Sequence, residues 1–111
     1  MTTAPLITTE SRHPLMFDVR RALIERLDFT SALVRTSDAY AYPTDCNQRA
    51  LDALSQVKEQ LVGAGPVDTL RLVLLYAPKS LLHEIAMDND WAPQYLNLTH
   101  DVDRLLQELK G

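Results

Sequence analysis

The sequence predicts an all-α fold, a small bundle of about five or six helices. Apolar residues recur at steps of three and four over most of the chain, which is helical spacing, and only three of the 111 residues are glycine. A chain of this length is typical of a single domain with one core. We therefore expect one helical domain over residues 13–111, preceded by a flexible N-terminal arm over residues 1–12, which are rich in threonine and serine.

The first helix is predicted over residues 14–28. Pro14 suits the first turn of a helix, where a backbone N–H has no partner within the helix, and the pattern indicates an end near Asp28 or Phe29. The next stretch, residues 30–42, mixes valine, threonine and tyrosine, so that a strand and a helix are both acceptable. We favour a short, separate helix there. The apolar stripe of the first helix consists of Met16, Val19, Leu23 and Leu27.

The next predicted helix, residues 44–62, has clear signals at both ends. Thr44 is a favourable N-cap residue. Gly63, Gly65 and Pro66 follow the helix and are typical of a helix C-terminus. These signals make it the best delimited helix of the sequence. Its apolar stripe consists of Ala50, Leu54, Val57 and Leu61.

Residues 67–77 are ambiguous, because their strongly apolar run fits both a helix and a strand. Every second residue from Leu70 onward is apolar, as in a strand, whereas Leu70, Val73 and Leu74 share one face of a helix. Since no clear second strand is available for pairing, we favour a helix at the centre of the bundle. A strand here would make the fold α+β. Another short helix is predicted over residues 81–86.

The last predicted helix, residues 92–109, carries the most regular apolar stripe of the chain. The rest of the chain or another protein must cover this stripe. With Tyr40, Tyr42 and Asp101 it forms the predicted protein-interaction surface, because tyrosines are favoured interface anchors and carboxylates suit a basic partner. An uncovered stripe would also allow a homodimer. The stripe consists of Tyr95, Leu98, Val102, Leu105 and Leu109.

Composition and charge weigh against several classes of function. The net charge is −4 and there is no run of basic residues, so we expect binding neither to nucleic acid nor to a membrane surface. The single cysteine, Cys46, rules out an internal disulfide and suits a reducing compartment. Residues 1–10 lack the pattern of a signal peptide, and the longest apolar run, Leu72–Ala77, is far below the roughly 20 residues of a membrane span. We expect a cytoplasmic protein.

The function favoured by the sequence is a non-enzymatic protein-interaction module, a small regulator, inhibitor or adaptor of bacterial or phage origin. No nucleophile elbow or glycine-rich phosphate loop is present, so no cofactor is expected and an enzyme has no positive support. The expected partner is a protein, with a basic one favoured by the acidic balance. The alternative is a small helical enzyme or metal-binding protein that uses His83, Glu84, His100 and Asp103.

Overall fold

The computed structural model describes residues 16–37, 46–63 and 65–110. Within these ranges the chain forms five helices and no strand, which confirms the predicted all-α fold. The α+β alternative for residues 67–77 is wrong, because a helix occupies this stretch. The predicted N-terminal arm, residues 1–12, lies outside the described residues. The helices are α1 (Met16–Arg35), α2 (Cys46–Val62), α3 (Thr69–Leu75), α4 (Leu81–Asp88) and α5 (Ala92–Lys110).

The longest helix, α1, forms the centre of the bundle. It packs against both α2 and α5, and α4 contacts all three of these helices. In contrast, α3 packs mainly against α5. The core therefore lies around α1, and α3 is attached to its outside. The largest fully buried apolar side chains of the core include Leu23, Leu27, Leu54, Leu61, Leu72 and Leu82.

The first helix continues past the predicted end at Asp28 or Phe29 and runs without a break to Arg35. The expected separate helix over residues 30–42 is wrong in its first part, and its second part lies outside the described residues. No glycine or proline interrupts this part of the chain. The buried stripe also continues, through Thr30 and then Val34, so the backbone has no reason to leave the helix.

Two buried hydroxyl groups, on Thr30 of α1 and on Ser37 just beyond its end, place polar residues in the buried stripe. The Thr30 hydroxyl donates to the carbonyl of Arg26 at 2.7 Å and accepts from the Tyr76 hydroxyl at 2.7 Å. The Ser37 hydroxyl donates to the carbonyl of Leu33 at 2.8 Å and accepts from Trp91 Nε1 at 2.8 Å. Because both hydroxyls are hydrogen-bonded, polar residues occupy core positions without the cost of an unpaired buried group.

The end of α2 is held by an arginine side chain from α1. Nη1 of Arg20 donates to the carbonyl oxygens of Gln60, Leu61 and Gly63 at 3.1, 3.3 and 2.7 Å, and Nη2 donates to that of Gly65 at 2.7 Å. Neither glycine has a positive φ. The glycine signal correctly predicted where α2 ends. The free carbonyls that every helix end presents are satisfied here by an arginine distant in sequence.

We expect Arg20→Ala to lower the free energy of unfolding by about 1–3 kcal/mol, because hydrogen bonds from a charged donor are among the stronger ones. Urea unfolding followed by circular dichroism measures the change. Arg21→Ala is the matched control, since Arg21 is exposed and forms no side-chain hydrogen bond or ion pair with another described residue; it should change stability by less than about 0.5 kcal/mol. Equal effects of the two substitutions would contradict the capping role of Arg20.

Candidate interaction surface

The apolar stripe predicted as an interaction surface on the last helix is covered by the chain itself. Tyr95, Leu98, Val102 and Leu105 are each at most 5% exposed, and Leu109 is partly buried against the core. In the folded chain these side chains are therefore core residues, although Leu98 and Val102 each also line a surface groove. The other two predicted interaction residues, Tyr40 and Tyr42, lie outside the described residues.

Asp101, the acidic residue of the predicted surface, lies beside two arginines. Its Oδ2 is 3.0 Å from Nε of Arg26 on α1, and its Oδ1 is 3.7 Å from Nη2 of Arg104 on α5. All three side chains are at least one-third exposed, so each pair contributes little to stability. These arginines compensate the charge that was expected to attract a basic partner.

Among the described side chains, the largest group of neighbouring exposed apolar residues on one helix lies on α3. Leu70, Val73 and Leu74 are 65%, 45% and 59% exposed, and their spacing places them on one face of the helix. We call them the α3 stripe. Only Leu72 of this helix is fully buried. The expectation of a helix at the centre of the bundle is therefore wrong for residues 67–77, since α3 lies on the surface.

A groove separates α3 from α5 and adjoins the α3 stripe at Val73. It has a volume of about 320 Å³. Its floor is apolar and buried, while the rim on α5 carries the exposed polar residues His100 and Asp103. We call it the α3–α5 groove. The floor is formed by Leu72, Tyr76, Val102 and Leu106.

The turn between α3 and α4 forms one end of this groove through Ala77 and Pro78. The N–H of Ser80 donates to the carbonyl of Ala77 at 3.2 Å, which closes a four-residue β-turn. Lys79, the third residue of the turn, has φ 64°, a left-handed conformation that favours glycine or asparagine. The N–H of Lys79 donates to Nδ1 of His83 at 2.7 Å.

Two tyrosines lie beneath the turn and the groove. The rings of Tyr76 and Tyr95 stack with their centroids 6.2 Å apart. The Tyr95 hydroxyl donates to the carbonyl of Ala77 at 2.7 Å and accepts from the Ser80 hydroxyl at 2.9 Å. Burial raises the pKa of both tyrosines above the ordinary value, while the hydrogen bonds with Thr30 and Ser80 act in the opposite direction. Both phenols are therefore neutral structural groups.

The four residues proposed for an alternative metal or catalytic site do not form one cluster. His83 and Glu84 lie on α4, whereas His100 and Asp103 lie on the groove rim on α5. In the part of the chain that the structure describes, no group of three histidine, cysteine or acidic residues is arranged to hold a metal ion. Nδ1 of His83 is already a hydrogen-bond acceptor. The sole cysteine, Cys46, is buried.

A second groove, of about 470 Å³, lies between α1 and α5. Phe29 and Leu98 supply its apolar surface. The remaining lining is polar and charged, and it includes the ion pair between Arg26 and Asp101. The two grooves expose similar apolar areas, and the α3–α5 groove differs from the second one by the three exposed apolar residues of the α3 stripe beside it.

Comparison of the chain with protein-family models, with curated proteins and with solved structures finds no match. Across residues 16–37, 46–63 and 65–110, no helix combines the length and the apolar character required to cross a bilayer.

The residues of the α3 stripe were expected in a helix at the centre of the bundle, not on its surface. The signal that could have found the stripe is the uninterrupted run Leu72–Leu75. Consecutive helical residues point in directions about 100° apart, so a short helix that packs on one side cannot bury four apolar residues in a row.

The raised pKa of Tyr76 predicts a loss of stability in alkaline solution. Unfolding returns the phenol to water, where its pKa is near 10, so the unfolded state loses the proton first and stability falls as the pH rises above about 10. Tyr76→Phe should make this fall less steep. Thr30 keeps its hydrogen bond to Arg26 in the variant, so no buried donor is left unpaired. Urea unfolding between pH 7 and 11 tests this, and equal slopes for both proteins would contradict it.

Proposed function

We propose that the chain is a non-enzymatic protein-interaction module, acting as a small regulator, inhibitor or adaptor, and that it docks its partner on the α3 stripe and the α3–α5 groove. The observation that carries the proposal is the exposure of Leu70, Val73 and Leu74 side by side on one helix. Single exposed apolar residues are ordinary, but a contiguous group beside an apolar groove is typical of an interaction site.

The energy available from this surface supports the proposal. Full burial of one large aliphatic side chain contributes roughly 1.5–3 kcal/mol. A partner that covers the three side chains of the α3 stripe would gain a substantial part of its binding free energy there. The rest of the binding free energy would come from a partner side chain that enters the groove, whose apolar floor is already formed in the free chain.

The dimensions of the surface favour a narrow partner. A helix of seven residues is about 10 Å long, whereas a stable dimer interface usually buries about 800 Å² on each partner. One amphipathic helix that places its apolar face against α3 fits this size better than a second copy of the chain. The homodimer remains an alternative outcome of the test.

Charge at the groove rim supports a basic residue in the partner. Asp103 is exposed, and within the described residues no basic side chain forms an ion pair with it. A lysine or arginine at the edge of a bound helix would meet this carboxylate. Such a rim contact contributes more to the association rate and to specificity than to affinity.

A cytoplasmic location and a bacterial or phage origin belong to the same proposal. The location is supported by the single buried thiol of Cys46, which suits a reducing compartment. The origin is supported only by the small size and acidic character of the chain.

Affinity capture with the double substitution Leu70→Ser and Leu74→Ser tests the docking surface. Both side chains are exposed, so each substitution should change the free energy of unfolding by less than about 0.5 kcal/mol. We expect the unmodified chain to retain a stoichiometric protein partner from a lysate of its source organism. The double variant should lose that partner, because the apolar contact is replaced by polar groups.

The matched control is Leu96→Ser. Leu96 is an aliphatic residue of similar exposure, 57%, on α5, and it does not line the α3–α5 groove. This variant should retain the partner. Retention by the double variant, loss by the control variant, or capture of no partner by the unmodified chain would each contradict the proposed function. Light scattering on the eluted sample distinguishes a protein partner from a homodimer.

A further inference from the structure

The turn at the end of the α3–α5 groove contains a strained residue. Lys79 occupies the left-handed region with φ 64°, which is unfavourable for an L-residue with a side chain. Such a conformation persists only where surrounding contacts hold it. The contacts here are the hydrogen bond that closes the turn and those that reach it from Tyr95 and His83.

The hydrogen bond to His83 depends on the protonation state of the imidazole. A backbone N–H can only donate, so the ring nitrogen that faces Lys79 must carry no proton. Nδ1 is therefore an acceptor in the neutral imidazole. When the ring takes up a proton, both nitrogens become donors, and the N–H groups of Lys79 and of Nδ1 point at each other. Histidine is the side chain that undergoes this change between pH 5 and 8.

Among the described residues, the groups near His83 are one aromatic ring, one cation and one carboxylate that is adjacent in sequence. The imidazole ring stacks on the Tyr95 ring of α5, with centroids 5.3 Å apart, and the Tyr95 hydroxyl is already bonded to Ala77 and Ser80. Lys79 on the turn carries a charge of the same sign. Glu84 is the next residue on α4. Among the described residues of α1, α2 and α5, no carboxylate forms an ion pair with the imidazole.

We propose that protonation of His83 releases the turn formed by residues 77–80 and thereby changes the end of the α3–α5 groove, so that this surface binds its partner at neutral pH and loses it in mild acid. The turn and the groove share Ala77 and Pro78, so a change in the turn also changes the lining of the groove. This inference rests on the proposed function, because that proposal identifies the groove as a docking surface. The response of the turn itself occurs in the free chain.

Amide hydrogen exchange by NMR on the free, full-length chain tests the response of the turn. The protection factor of the Lys79 amide, which corrects for the intrinsic effect of pH on exchange, should fall about five- to tenfold between pH 7.5 and pH 5.0, as expected for the loss of one hydrogen bond. The protection of Leu54, a core residue of α2, should stay constant. A constant Lys79 protection factor, or an equal fall at Leu54, would overturn the inference.

Two histidine variants test whether His83 causes the pH response of the Lys79 amide. In His83→Asn, the amide oxygen replaces Nδ1 as an acceptor that does not titrate, so Lys79 should remain protected at both pH values. In His100→Asn, the exposed histidine of the groove rim is removed, and the pH response of Lys79 should persist. A response that survives in His83→Asn, or that disappears in His100→Asn, would overturn the assignment to His83.

The rate at which the captured partner is released distinguishes a failure of this inference from a failure of the proposed function. At pH 5.5, the unmodified chain should release the partner at least fivefold faster than at pH 7.5, whereas His83→Asn should release it at similar rates. If Lys79 loses protection but no partner is captured, the proposed function fails and the turn mechanism stands. If a partner binds on the α3 stripe while Lys79 protection is independent of pH, the proposed function stands and this inference is overturned.

Discussion

Two buried hydroxyl groups, on Thr30 of α1 and on Ser37 just beyond its end, hold the ends of two other helices against the centre of the bundle. Thr30 accepts from Tyr76, just after α3, and Ser37 accepts from Trp91, just before α5. Each hydroxyl also donates to the backbone one turn earlier, so no buried polar atom is left unpaired. Replacing either hydroxyl by an apolar group would leave a buried donor without a partner, and for this reason polar residues stand within an apolar stripe.

The surface position of α3 follows from the packing of the other helices around α1. Because α2, α4 and α5 surround α1, a further helix can pack only on the outside, and α3 does so mainly against α5. A helix with one neighbour buries one face. The remaining aliphatic side chains then stay in water unless another molecule covers them, which is the physical basis of the proposed docking surface.

Most of the fold could be predicted from the sequence, because local signals agreed with the packing. The predicted helix over residues 92–109 corresponds closely to α5 (Ala92–Lys110), and residues 44–62 contain α2. The long α1 was missed because the valine, threonine and tyrosine residues over 30–42 fitted a strand as well as a helix. The contact that keeps Thr30 in the core comes from Tyr76, 46 residues away. The candidate surface was missed for a related reason. Periodicity shows that a face is apolar, but only the tertiary arrangement shows whether another helix covers that face.

The hydrogen bond between Trp91 and Ser37 has a practical consequence. Trp91 is the single tryptophan of the chain, it is buried, and it joins the start of α5 to the end of α1. Its intrinsic fluorescence therefore comes from one defined place in the molecule. The emission would shift to longer wavelength only when water enters that junction, so the natural chain carries an optical reporter of whether its two longest helices remain together.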